Sequence, residues 1–83
     1  MDKVKHSDIA VHSVVPRGAK EMVYFELPNG KFVEWQRGAQ TLNVKDEPRF
    51  EAQDQECFSL DYTKRDPTVT DVKRAIVAWL NED

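Results

Sequence analysis

Cys57, His6 and His12 are the residues of this 83-residue chain whose types lend themselves most readily to chemistry, as a thiol nucleophile and its base. Their setting does not support that role. Cys57 has neither a flanking glycine turn nor a predicted helix N-terminus to lower its pKa, and no spacing links it to either histidine. The same three residues fall short of a structural zinc site, which takes four ligands in paired spacings. The three glycines form no phosphate loop, and each suits a turn instead. No catalytic residue, metal ligand or cofactor is therefore expected, and the chain reads as non-catalytic.

Two other groups point towards binding. Asp46, Glu47, Glu51, Asp54 and Glu56 crowd one short segment relieved only by Arg49. Such a run repels phosphate and favours either plain solvation or a basic protein partner. The second group is aromatic: Tyr24 and Phe32, with Met22 beside them and Lys20, Lys31 and Arg37 around. Aromatics amid positive charge resemble the stacking platforms that take single-stranded nucleic acid. Glu26 and Glu34 share the same stretch, however, and aromatic and methionine side chains ringed by mixed charge suit a protein interface better.

Positioning these groups falls to a β-hairpin. Met22 to Leu27 and Lys31 to Gln36 are runs of β-branched and aromatic residues joined by Pro28-Asn29-Gly30. Proline suits the first central position of a type I turn, asparagine the second, and glycine the left-handed position that follows. This loop pairs Leu27 with Lys31, so Phe25 faces Val33 and Val23 faces Trp35. Val23, Phe25, Leu27, Val33 and Trp35 then share one face. The other carries Met22 with Gln36, Tyr24 with Glu34, and Glu26 with Phe32. A two-residue Asn-Gly turn would mix polar and apolar side chains on both faces, so turn chemistry and hydrophobic pattern agree only in the bulged register.

Around the hairpin, Ile9 to Val15 reads as a first strand ending at the Pro16-Arg17-Gly18 turn signal. Gln40 to Lys45 alternates, with Leu42 and Val44 on one side. The acidic segment around Pro48 then breaks the sheet. Glu56 to Thr63 alternates again, Phe58, Leu60 and Tyr62 inward and Cys57, Ser59 and Asp61 outward. From Thr68 the period lengthens, and Val69, Val72, Ile76, Trp79 and Leu80 form one helical stripe. Either Asp66 before Pro67, or Thr68 with Asp71 three residues on, caps this helix.

The expected fold is thus α+β: a four- or five-stranded, mostly antiparallel sheet with its central hairpin at 22–36 and one C-terminal helix packed on one face. Trp35, Phe25, Ile76 and Trp79 are expected near the centre of the core. Residues 1–83 form a single domain, since two would not fit this length, and 1–8 are expected to be flexible. A lone cysteine excludes a disulfide-stapled fold and suits a reducing cytoplasm. The charged start, and an apolar stretch interrupted by His12 and Ser13, read as neither signal peptide nor membrane span.

Charge is uneven along the chain: residues 1–45 carry +2, and residues 46–83 carry −5. The sequence is best read as a small protein-binding module, of the kind that serves as an inhibitor, an immunity protein or an accessory protein of mobile elements. Its expected partner-binding residues are Met22, Tyr24, Phe32, Glu34, Asp46, Glu47, Glu51 and Asp54. Single-stranded nucleic-acid binding through the hairpin's outer face is the alternative, and a homodimer through that face is a third possibility. One competing outcome would remove the hairpin site. If the first strand or the chain after Gly38 folds over that face, Tyr24 and Phe32 become core.

Overall fold

A computed structural model describes residues 3–60 and 67–82. Five strands, β1 (Ala10–Arg17), β2 (Lys20–Glu26), β3 (Phe32–Gln36), β4 (Thr41–Lys45) and β5 (Asp54–Ser59), precede one helix, α1 (Val69–Leu80). The strands lie in sequence order as an antiparallel meander, so every connection is a hairpin and the first and last strands are edges. The fold is therefore α+β, with five strands and one C-terminal helix.

The central hairpin adopts the bulged register. Phe25 lies opposite Val33, Val23 opposite Trp35, and Tyr24 opposite Glu34. In the turn, Gly30 N–H donates to the Leu27 carbonyl at 3.1 Å and Leu27 N–H to the Lys31 carbonyl at 2.9 Å. Gly30 sits at φ +85°, where any side chain would be strained. The Asn29 side chain accepts from Lys31 N–H at 3.0 Å and reinforces the reversal.

One face of the sheet is apolar and closed by α1. Val23, Phe25, Leu27, Val33, Trp35, Leu42 and Val44 pack with Ile9, Leu60, Val72 and Ile76 into a single cluster. Trp35 lies wholly inside it and satisfies its indole N–H on the Ala39 carbonyl at 2.8 Å. Trp79 is not central. It is only half-buried and stacks on Phe58 at the flank, ring centroids 4.7 Å apart and planes 5° from parallel, because Ile76 and Val72 occupy the middle of the helix stripe.

The helix starts by the second of the two capping options. Thr68 Oγ1 accepts from Asp71 N–H at 3.2 Å, while the Asp71 carboxylate accepts from Thr68 N–H at 2.8 Å. The lead-in meets the end of α1 at Val4. Val4 N–H donates to Asn81 Oδ1 at 2.9 Å and the Asn81 amide donates to the Val4 carbonyl at 3.0 Å, after which His6–Asp8 makes a 3-10 turn. β5 begins at Asp54, two residues earlier than its alternation implies, and the expected inward Tyr62 and outward Asp61 lie outside the described residues. Among the described residues no helix is long and apolar enough to cross a membrane.

Candidate functional site

The second face of the sheet presents Met22, Tyr24 and Glu26 from β2, Phe32 and Glu34 from β3, and Asn43 and Lys45 from β4. A mixed polar and aromatic face of this kind reads as surface. Its centre is covered instead, while Glu26 stays exposed and Phe32 and Asn43 are half-buried. The chain between β4 and β5, residues 46–53, folds back across it as a strap, and Met22, Tyr24, Glu34 and Lys45 are all buried. Met22, Tyr24 and Glu34 are thereby withdrawn from the expected partner-binding patch, because a side chain under the strap cannot meet a partner.

Lys45 holds the strap in place. Its ammonium donates to the backbone carbonyls of Phe50 at 2.8 Å and Ala52 at 3.0 Å, with Arg49 O further off at 3.4 Å. Glu34 Oε2 lies 3.2 Å away on the sheet side and Asp54 Oδ1 3.3 Å away at the start of β5. Tyr24 Oη completes the cluster by donating to Glu34 Oε2 at 2.7 Å. Burial first, then this bond to a carboxylate, pushes the Tyr24 phenol well above its ordinary pKa, so it stays neutral and remains a donor. Both Lys45 and Glu34 expose only 3 % of their side chains, which makes this a desolvated ion pair rather than a surface bridge.

The strap has its own internal order. Arg49 pairs with Glu47 at 2.8 Å, and Arg49 N–H donates to the Glu47 carbonyl at 2.9 Å. The Arg17 guanidinium lies 3.4 Å from the centre of the Phe50 ring, joining the strap to the end of β1. At the other end Lys31 Nζ contacts Asp46 Oδ1 at 3.0 Å and Gln55 Oε1 at 2.6 Å, and the Gln55 amide also bonds Asp46. The strap is anchored at both ends and in the middle.

What remains outward is mainly acidic, with Arg49 the basic residue among it. Asp46, Glu47, Glu51 and Asp54 are exposed on the strap and at its exit, with Phe50 44 % exposed among them. Phe32 is half-buried, its ring edge-on to His12 at 5.3 Å. The eight expected site residues thus divide into three under the strap, four on or beside its outer surface, and Phe32 at the margin. Lys45, Phe50 and Arg17 were missed. A lysine on the same sheet face as Tyr24 and Glu34, and one aromatic alone in an acidic run, were the signals available.

Cys57 and His12 lie on the two opposite edge strands, so four strand spacings, roughly 19 Å, separate them across the sheet. Among the described residues no group of three or more His, Cys, Asp or Glu is placed to hold a metal ion. The chain matches no family model, no curated protein and no solved structure.

Proposed function

We propose that this chain is a non-catalytic protein-binding module of the cytoplasm whose partner, basic at the contact, meets the outer surface of the strap. Asp46, Glu47, Glu51 and Asp54 supply the charge, and the exposed part of Phe50, 44 % of the residue, supplies an apolar contact. The observation that carries this reading is the Lys45 latch. A buried ion pair adds little stability compared with apolar residues of the same volume, so its use here is better understood as fixing one conformation of the strap. A surface ordered before binding loses less entropy on association. A module of this kind acts by occupying its partner, as inhibitors, immunity proteins and accessory proteins of mobile elements do.

The nucleic-acid alternative has less support. Tyr24, half of its stacking platform, is under the strap, and the strap adds exposed carboxylates, which repel phosphate, to that side of the sheet. The test is capture from a lysate of the source organism, comparing the wild-type chain with the triple variant Asp46→Lys, Glu47→Lys, Glu51→Lys. A stoichiometric protein retained by the wild type, released by high salt and lost in the variant is the expected result. Retention of nucleic acid with no protein, or a protein partner indifferent to the charge reversal, would overturn the proposal.

A further inference from the structure

The two edges of the sheet are guarded differently. β5 carries Asp54 and Glu56, and charge on an edge strand is a usual device against pairing with another strand. β1 has no charge from Ile9 to Pro16 and carries instead Pro16 and one irregularity, the milder devices, while Val11, Val14 and Val15 stand 41 %, 44 % and 44 % exposed on it. Its irregularity is a β-bulge. Val11 lies opposite Phe25 and Ser13 opposite Tyr24, which leaves His12 as the extra residue.

The bulge decides which strand can pair with β1. His12 packs on Phe32 and Ser13 lies opposite Tyr24, so two consecutive residues point to the strap side. The sides along β1 therefore run Ile9 helix, Ala10 strap, Val11 helix, His12 strap, Ser13 strap, Val14 helix, Val15 strap, Pro16 helix. Reversed about the point between His12 and Ser13, this order is unchanged. A regular strand alternates without a break and would match β1 on only one side of the bulge. A second β1 running antiparallel carries the same break in the same place and matches throughout.

From this self-complementarity we infer that the protein pairs with a second copy of itself through β1, antiparallel, with Val11 opposite Val14 of the second copy. The two-fold axis lies between His12 and Ser13 and is perpendicular to the sheet. Both helices then lie on one side of a continuous ten-stranded sheet, with four valines between them. Charge supports the same register. It brings Arg17 of each copy towards Asp8 of the other, with no like-charged pair along the strands. The strap face stays free in this arrangement, so the inference stands apart from the proposed partner.

Sedimentation equilibrium from micromolar to millimolar protein reads the association, and two sets of variants read the surface. Val14→Lys, at an exposed position that leaves the fold intact by circular dichroism, is expected to weaken dimerisation at least about tenfold by opposing a buried charge to Val11. On a Cys57→Ser background, Val11→Cys mixed with Val14→Cys is expected to cross-link with oxidised glutathione, and neither alone to do so as readily. A chain that is monomeric throughout, a dimer indifferent to Val14→Lys, or cross-linking by Val11→Cys alone as readily as by the mixture would overturn the inference. Association only with a foreign strand would do the same.

Discussion

The two faces of the sheet are closed by different physics. On the helix face, apolar side chains from β2, β3, β4 and α1 exclude water, and burial alone accounts for the closure. On the strap face, an ammonium gathers two carboxylates and the carbonyls of a loop, and a phenol completes the set. The first arrangement tolerates many apolar choices of suitable volume. The second requires particular groups at particular distances, and it specifies a conformation more than it stabilises a fold.

The largest expected effect tests the helix face. Trp35→Ala removes the largest fully buried side chain and should cost about 3 to 5 kcal/mol, enough to unfold much of a domain this small, as read in a urea melt. A loss below about 1 kcal/mol would show that the core is not closed as described.

On the strap face, Lys45→Ala leaves Glu34 buried without its cation and should cost about 3 kcal/mol. The informative contrast is Glu34→Leu combined with Lys45→Met, which removes both charges. That pair is expected to lie within about 1 kcal/mol of the wild type, the relief of desolvation offset by the Tyr24 hydroxyl left without its acceptor, while releasing the strap to limited proteolysis between Asp46 and Gln53. A double variant as unstable as Lys45→Ala would mean that the network stabilises the fold as the apolar core does, and the contrast between the faces would fail.

Tyr24→Phe should cost about 1 kcal/mol, the usual worth of one hydrogen bond, slightly more if Glu34 is left short of a donor. It also carries a pH signature. Because the folded state raises the Tyr24 pKa above that of the unfolded chain, its contribution is fully present below the unfolded value of about 10 and is lost as pH rises beyond it. Denaturation midpoints followed from neutral to strongly alkaline pH should therefore fall less steeply in Tyr24→Phe than in the wild type. The smallest expected effect is Arg17→Ala, about 0.5 to 1 kcal/mol from the exposed stacking on Phe50, visible as a modest shift in the same melts.

The helix face was legible in the sequence because several local signals agreed. Proline, asparagine and glycine fixed the turn, the turn fixed the register, and the register put Val23, Phe25, Val33 and Trp35 on one side. The Thr68 and Asp71 cap and the stripe through Val72 and Ile76 added the covering helix. The strap face was not legible. Its cover is the most acidic stretch of the chain, which by composition belongs in water. Its outward carboxylates do face water, and what touches the sheet is mainly backbone carbonyls drawn in by Lys45 together with the Phe50 ring. Carbonyls are common to every residue, so no pattern of side-chain types announces them.

Backbone ¹⁵N relaxation across residues 46–53 measures the strap's order directly. If the Lys45 latch fixes this surface, order parameters there should match the strands at about 0.85 in the wild type and drop below about 0.6 when Glu34→Leu and Lys45→Met are combined. Values below about 0.6 in the wild type would contradict a fixed strap and remove the basis for reading its acidic surface as a binding site.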